Sequence, residues 1–474
     1  MEVFTEYSWE EEKRMSRTGE RYLVRLRDHI LKGEDGQAEA SMFSFSYLRL
    51  PQDARRPVIF AYNGGPGAAS NWLHMGLLGP KLVKFPGYPE VKNPAEFYFE
   101  ENREFLLDLC DMVLIDPVGT AWANLFDQTA AQRHYSTGGD ARDFADFIIA
   151  WLSENGRQDA PVYLLGESYG TIRNVALADA LPDSVDLRGI IHIGTSLNVG
   201  AKGTLSVEPN VRRLGANAAA CWYHYHREEI SREDFLNEAM KFAYGDYARA
   251  LLLGNRLCEK EREQVLEKLS YYSGISKDFL REHSLRFGEI DFVTRLRPGE
   301  VLSIYDSRLV FCPKAGEKYV KSTIDGADIV EPDMKQDVFM ASVGPAFDAA
   351  FEQYSKAELC LPQGREEKDD KMEISRRWDY RSYEEDTLLL PVKLMERRPR
   401  LRMMFVNGYF DLSSTFDFVI YYLSQYSLPK ERVATLVLPS GHAAYVGEGM
   451  AETLNRKIRE FISHKKEGEK DASE

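Results

Sequence analysis

The chain has 474 residues, of which 44% are hydrophobic and 28% charged, so its composition is that of a globular protein. This length accommodates about three domains, or one large domain with an insertion. A net charge of −15 argues against nucleic acid as a partner, because phosphate is bound by clustered Lys and Arg. No apolar run approaches the roughly 20 residues of a membrane span, so we expect no membrane partner.

The N-terminal residues MEVFTEYSWEEEKRMSRTGE are acidic and polar, without an apolar core or a small-residue cleavage site. No signal peptide is visible in them, and we therefore expect a cytoplasmic protein. The five cysteines are an odd number without CxxC spacing, which favours reduced thiols over disulfides.

Short apolar runs alternate with helical patterns in the first part of the chain. Four runs predict buried strands: VIFAYN (58–63), MVLID (112–116), VYLLG (162–166) and GIIHIG (189–194). Helically spaced apolar residues predict helices over 138–156 and from Tyr169 to about Leu181.

The same alternation returns late in the chain. Strands are predicted in RMMFVNGYF (402–410) and VATLVLPSGH (433–442), with helices from about Phe416 to Tyr426 and ending near His464. This alternation predicts an α/β fold, a mostly parallel central sheet flanked by helices. We predict a core in two parts, 1–198 and 391–464, with an inserted helical cap, 199–390, between them. A disordered tail, 465–474, follows the core.

A G-x-S-x-G pattern, GESYG (166–170), ends one predicted strand and precedes a helix. The pattern alone arises by chance about 0.2 times in a chain of this length, so its context carries the argument. Strand, tight turn and helix are the setting of an exposed nucleophilic Ser. We interpret Ser168 as that nucleophile; the alternative is a loop Ser that caps the helix.

A Ser hydroxyl needs a base to accept its proton, and the base needs a third group to orient it. In the recurring chain order Ser, Asp, His, the two partners follow late strands. The loop NGYFDLSS (407–414) offers Asp411, and PSGHAAY (439–445) offers His442. We predict that Asp411 orients His442, which takes the proton of Ser168; a capping role for Asp411 is the alternative.

An oxyanion hole requires fixed backbone N–H groups that face the developing charge. The loop NGGPGAAS (63–70) follows the first predicted strand, and its Gly64 and Gly65 permit a close backbone approach. We predict that the N–H groups of Gly65 and Tyr169 form the hole. An ordinary Gly-rich turn is the alternative, whereas a phosphate loop is excluded because no Lys-Ser/Thr follows.

Taken together, the motifs resemble the serine carboxypeptidases, most closely the bacterial branch of that family. They occur in the family's order: YNGGPGAAS, DPVGTAW (116–122), GESYG, NGYFD and PSGH. The resemblance implies an α/β-hydrolase fold with an inserted helical cap, and removal of C-terminal residues from peptides through an acyl-enzyme. It also implies that Asn63 and Glu167, with the N–H of Gly64, bind the terminal carboxylate of the substrate.

The chain departs from the secreted members of the family near this carboxylate site. Those members pair the Glu before the nucleophile with a second Glu, whereas Gly76 lies near that place here. They also carry a disulfide-forming Cys where this chain has Ala68. Since two carboxylates share a site only when one is protonated, His74 and Arg173 are candidates for positive charge. An ion-pair role for Arg173 is an equal alternative.

We therefore predict a serine-type carboxypeptidase that acts on peptides with a free C-terminus, without metal or other cofactor. The alternatives are an esterase or acyltransferase that uses the same triad, because the cap sets the substrate, and an inactive α/β-hydrolase that serves as a binding module. An H-x-H pair, His224 and His226, has no third ligand nearby and is interpreted as part of the cap rather than a metal site.

Overall fold

The computed structural model describes seven segments of the chain: 6–15, 18–33, 35–90, 96–198, 209–312, 337–362 and 371–463. The predicted disordered tail, 465–474, and residues 199–208 at the start of the predicted cap lie outside the described residues. Within the described residues, no helix is both long and apolar enough to cross a bilayer.

The described residues contain fourteen strands. They are β1 (Ser8–Arg14), β2 (Arg21–Lys32), β3 (Ala38–Arg49), β4 (Val58–Tyr62), β5 (Lys81–Lys84), β6 (Tyr98–Glu101), β7 (Asp111–Asp116), β8 (Asn124–Leu125), β9 (Val162–Glu167), β10 (Leu187–Ile193), β11 (Val301–Leu302), β12 (Val310–Phe311), β13 (Arg402–Gly408) and β14 (Val433–Leu438).

The α-helices follow the same chain order. They are α1 (Asn71–Leu73), α2 (Ala131–His134), α3 (Thr137–Glu154), α4 (Gly170–Ala180), α5 (Pro209–Cys221), α6 (Arg232–Phe242), α7 (Ala248–Leu253), α8 (Glu259–Ser273), α9 (Lys277–Glu282), α10 (Glu289–Arg295), α11 (Val338–Ser342), α12 (Gly344–Glu358), α13 (Lys371–Arg377), α14 (Leu390–Arg397), α15 (Phe416–Gln425) and α16 (Met450–Ile462). Three π-helical turns accompany them, at His74–Leu78, Trp222–His226 and Ala243–Tyr247.

Ten strands form one sheet in the order β1-β2-β3-β7-β4-β9-β10-β13-β14, with β8 paired to β3. The strands from β7 to β14 in this order run parallel. Antiparallel pairs attach β3, β2 and β1 at one side. A mostly parallel sheet flanked by helices, with a Ser between β9 and α4, is the α/β-hydrolase fold, so the predicted fold class is confirmed.

The predicted strands and helices of the two core segments are confirmed within a few residues of their ends. In β4, Val58, Phe60 and Tyr62 pack into the core on one face of the sheet, while Ile59 and Ala61 pack on the other. A strand covered on both faces has no polar side to expose, which is why its sequence reads as an uninterrupted apolar run.

The antiparallel strands β1 to β3 were not predicted from the sequence. In β2, Tyr22, Val24 and Leu26 are buried and alternate with residues that are partly exposed, which are Leu23, Arg25 and Arg27. This alternation is the signal of a strand with one buried face, and it was present in the sequence.

The region predicted as an inserted cap, 199–390, is divided between two cores in the structure. Helices α5 to α10 bury their apolar faces in a cluster of their own, which also contains Phe410, Leu412 and Phe416. Helix α12 instead packs against the sheet domain, where Phe347 and Phe351 join the central core. Helix α12 therefore shares the core of the sheet domain rather than the core of helices α5 to α10.

Candidate active site

Ser168 occupies the tight turn between β9 and α4. Its φ is +58°, in the left-handed region that costs a non-glycine residue about 1–2 kcal/mol. The N–H of Ser168 donates to the carbonyl of Ile193 at 2.8 Å, which fixes the turn against the end of β10. A Cβ at Gly166 would overlap the carbonyl of Gly170, so the turn closes only with glycine there. The partly exposed hydroxyl is thus held at the carboxyl end of the sheet.

Asp411 and His442 meet at the ends of β13 and β14. Nδ1 of His442 lies 2.9 Å from Oδ2 of Asp411, and the aspartate is fully buried. The other carboxylate oxygen accepts the N–H groups of Ser413 and Ser414, each at 2.9 Å. Since a carboxylate only accepts hydrogen bonds, Nδ1 carries the proton and Nε2 remains the basic nitrogen.

The imidazole of His442 lies beside the turn that carries Ser168. A Cβ at Gly194 would come within 3.0 Å of the imidazole Cε1, and Gly194 directly follows Ile193, whose carbonyl anchors the Ser168 amide. The base therefore lies next to the turn of the proposed nucleophile, an arrangement that suits transfer of the Ser168 proton to the imidazole.

The two predicted oxyanion donors lie on adjacent backbone segments. A Cβ at Gly64 would come within 2.5 Å of the Tyr169 nitrogen, so only glycine allows this approach. Gly65 has a φ of +102°, and the N–H of Ala68 closes the turn on the Gly64 carbonyl at 3.1 Å. The loop therefore presents its backbone beside the first residue after the nucleophile.

Asn63 and Glu167, predicted to bind the substrate carboxylate, contact each other directly. The Asn63 amide N–H donates to Oε2 of Glu167, and its amide oxygen accepts the N–H of Leu73 at 3.0 Å. Both side chains are nearly buried. The tight turn of Ser168 and the close approach of Gly64 place this pair beside the nucleophile.

Tyr445 is a third member of this polar group that the sequence analysis missed. Its hydroxyl donates to Oε2 of Glu167 at 2.9 Å. Burial, reinforced by the charge of Glu167, raises the pKa of Tyr445 well above its ordinary value, so the hydroxyl stays protonated. A Cβ at Gly76 would overlap the Tyr445 ring. The ring thus lies against Gly76, near the place where the secreted carboxypeptidases carry a second Glu, and its only sequence signal was an aromatic residue three positions after His442.

The structure does not support Arg173 or His74 as carboxylate ligands. Arg173 is fully buried and forms a bidentate ion pair with Asp140, at 2.7 and 3.1 Å, while its third donor bonds the Asn63 carbonyl at 2.8 Å. Burial lowers the pKa of His74 to about 3, and its Nε2 lies 2.6 Å from the Tyr47 hydroxyl. The ion-pair alternative for Arg173 is therefore the one observed, and His74 is a neutral core residue.

The H-x-H pair has other contacts. Nε2 of His224 lies 2.8 Å from the Ser307 carbonyl, and Nδ1 of His226 lies 3.1 Å from a carboxylate oxygen of Glu229. Among the described residues, no three His, Cys, Asp or Glu side chains are grouped as metal ligands. Both histidines therefore contact groups of the region 199–390.

No protein-family model matches the chain, and no curated protein matches its sequence. Solved structures align with it over nearly the whole length at very low identity. The peroxisomal α/β-hydrolase Lpx1 of Saccharomyces cerevisiae shares 9% identity over 99% of this chain and 92% of its own, with a TM-score of 0.42.

Two bacterial structures give similar values. A thermostable carboxyl esterase from Bacillus coagulans shares 11% identity over 93% of this chain and 98% of its own, with a TM-score of 0.37. Homoserine O-acetyltransferase from Bacillus anthracis shares 12% identity over 93% of this chain and 97% of its own, with a TM-score of 0.38. At these scores the similarities do not bear on substrate, and the resemblance to the serine carboxypeptidases stays a prediction.

Proposed function

We propose that the chain is a serine hydrolase that works through an acyl-enzyme, and more narrowly a serine-type carboxypeptidase. The observation that carries the first part is the Asp411–His442 hydrogen bond, with the imidazole packed against Gly194 next to the strained turn of Ser168. A Ser on a strained strand-to-helix turn, together with an oriented base, is the arrangement in which α/β-hydrolases carry out acyl transfer.

In the proposed reaction, Oγ of Ser168 attacks the scissile carbonyl while Nε2 of His442 takes its proton. The carbonyl electron pair becomes an oxyanion that accepts hydrogen bonds from the N–H groups of Gly65 and Tyr169. The imidazolium, stabilised by Asp411, gives its proton to the leaving nitrogen as the C–N bond breaks. A water molecule then attacks the acyl-enzyme, and His442 returns the proton to Ser168.

The narrower proposal rests on the group Asn63, Glu167 and Tyr445 beside Gly64, together with the motif resemblance. Both contacts described for Oε2 of Glu167 are with donors, from Asn63 and Tyr445. A substrate carboxylate approaching Glu167 needs a proton between the two groups, so binding of free-acid peptides is expected to strengthen as pH falls.

Labelling with a fluorophosphonate probe tests the hydrolase proposal. We expect one adduct on wild type, located at Ser168 by peptide mapping, and none on Ser168→Ala. A folded wild-type protein that forms no adduct would contradict the proposal and favour the binding-module alternative. Labelling of Ser168→Ala to the same extent would show that another residue reacts.

Matched substrates test the carboxypeptidase proposal. We expect turnover of N-blocked dipeptides with a free C-terminal acid, and weaker turnover of the same dipeptides as amides. If p-nitrophenyl esters react while neither peptide does, the esterase or acyltransferase alternative is correct. In Glu167→Gln the side chain donates an N–H without needing a proton, so the pH dependence of KM should flatten for the free acid and stay unchanged for the amide.

A further inference from the structure

The turn between β11 and β12 contacts both loops that carry the acid and the base. The carbonyl of Ile304 accepts the N–H groups of Leu412 and Ser413, at 2.9 and 3.1 Å, directly after Asp411. The carbonyl of Tyr305 accepts the N–H of His442 at 2.6 Å. Two neighbouring carbonyls of the inserted region thus bond the backbones of both catalytic loops.

The contact with the base loop is close enough to exclude side chains. A Cβ at Gly441 would overlap the Tyr305 carbonyl and lie 2.6 Å from the Cβ of Asp306. The N–H of Ser307 donates to the carbonyl of Phe410 at 2.9 Å on the other side of the turn. The relative placement of the two loops is therefore tied to the conformation of this turn.

A buried ion pair holds the turn in that conformation. Arg308 forms a bidentate pair with Asp306, at 2.8 and 2.5 Å, and the two side chains are 8% and 0% exposed. Nη1 of Arg308 also donates to the Pro439 carbonyl at 3.0 Å, three residues before His442. The hydroxyl of Tyr88 donates to Asp306 as well. A planar guanidinium in a bidentate pair fixes direction as well as distance, which a Lys ammonium does not.

We propose that Arg308 is a positioning residue for the catalytic base. Paired with Asp306, it holds the segment from Pro439 to His442 so that the imidazole stays aligned with Asp411. The proposal rests on the proposed hydrolase function and assigns to the turn between β11 and β12 a part in the reaction. Misplacement of a reacting group by about 1 Å lowers rates by about 100-fold, so small rotations of this segment matter.

The test compares Arg308→Lys with Arg157→Lys. Arg157 forms a similarly buried pair with Asp111, at 2.6 Å, and bonds the Ala54 carbonyl at 3.2 Å. Asp111 pairs with Val58 and therefore lies level with the start of the central strands, at the opposite end of the sheet from Ser168. Arg157→Lys thus weakens a buried arginine–aspartate pair without contact with the catalytic loops, while Asp111 keeps a second cation, Arg56, at 3.2 Å.

In Arg308→Lys we expect kcat and the rate of fluorophosphonate labelling to fall by about 10- to 100-fold with KM changed less than about twofold. A poorly aligned Asp411 stabilises the imidazolium less, so the acid limb of the kcat/KM profile should move to lower pH. Arg157→Lys should keep the wild-type rate and pH profile, even if it lowers the urea unfolding midpoint as much as Arg308→Lys does.

Equal kinetics in Arg308→Lys and Arg157→Lys, or a lower rate without a shift of the acid limb, would overturn the proposal. If Arg308→Lys does not fold, the double variant Asp306→Asn with Arg308→Met removes both charges and leaves none buried alone. The same kinetic change is expected there, and a wild-type profile in it would likewise overturn the proposal. A wild type that neither labels nor turns over would instead contradict the hydrolase function itself.

Discussion

The hydroxyl of Tyr445 lies 2.9 Å from Oε2 of Glu167, the residue directly before Ser168, and the same tyrosine ring rests on the backbone of Gly76. One side chain therefore both bonds the acid beside the proposed nucleophile and fills the space next to Gly76. Gly76 and Tyr445 are coupled by shape, because any larger residue at 76 displaces the ring. Substitutions at Tyr445 and at Gly76 therefore both test how Glu167 binds a substrate carboxylate.

Replacement of Tyr445 by Phe removes the hydrogen bond and keeps the ring. Because the lost bond favours the ionised form of Glu167, the pH above which KM rises for free-acid peptides should move upward. The free energy of unfolding should fall by about 2 kcal/mol. Tyr422→Phe is the matched control, since Tyr422 is also buried and bonds a carbonyl, that of Leu388, at 2.8 Å. Identical KM profiles in both variants would contradict the assigned role of Tyr445.

Gly76→Ala should displace the Tyr445 ring, because the added Cβ overlaps it and lies 3.2 Å from Phe347. We expect a loss of about 1–3 kcal/mol in unfolding free energy and a change in KM for free-acid peptides. The control Gly245→Ala adds a methyl where no atom lies within 4 Å, so it should be neutral or slightly stabilising. Urea unfolding and KM for free-acid peptides are measured for both variants. Equal effects of Gly76→Ala and Gly245→Ala would refute the coupling between Gly76 and Tyr445.

Arg173→Met should damage the fold without discriminating between substrates. It leaves Asp140 buried without its cation, for which we expect a loss of about 3–5 kcal/mol. Burial raises the pKa of Asp140, so the loss should shrink in acid, where the carboxyl becomes neutral. Arg188→Met, which breaks the partly exposed pair with Asp186, should lose at most about 1 kcal/mol. A rise in KM confined to free-acid peptides would instead restore Arg173 as a substrate ligand.

The buried imidazole of His74 should make the folded protein less stable in acid. Burial lowers the pKa of His74 to about 3, whereas in the unfolded chain it is near 6.5. As pH falls, the unfolded state binds a proton at His74 before the folded state does. The contribution of His74 to the free energy of unfolding is therefore complete above about pH 6.5 and is lost as pH falls toward 3. The slope contributed is about 1.4 kcal/mol per pH unit.

His74→Gln should remove that slope between about pH 4 and 6, as measured by urea unfolding across a pH series. Tyr47→Phe is the control: it removes the hydroxyl that contacts the His74 imidazole but keeps the imidazole buried, so it should keep the wild-type slope. Equal slopes in the two variants would show that His74 does not titrate on unfolding.

The local sequence determined the sheet and the three residues of the proposed triad. Buried strands such as β4 and β9 read as apolar runs because both faces are covered, and helix α3 reads as helically spaced apolar residues. Ser168 directly follows β9, and Asp411 and His442 lie three and four residues after the ends of β13 and β14, so their common edge of the sheet was predictable from pattern alone. The antiparallel strand β2 was predictable as well, from an alternation that was not used.

Contacts between distant segments were decided only by the tertiary structure. Tyr445 and Glu167 are 278 residues apart, and the Tyr305 carbonyl reaches His442 across 137 residues, so no local pattern indicates either contact. Arg173 one turn into α4 reads as a possible ligand, but its side chain points to Asp140 in the core. Periodicity fixes which face of an element is buried, whereas the direction and partners of a polar side chain depend on what the rest of the chain places opposite it.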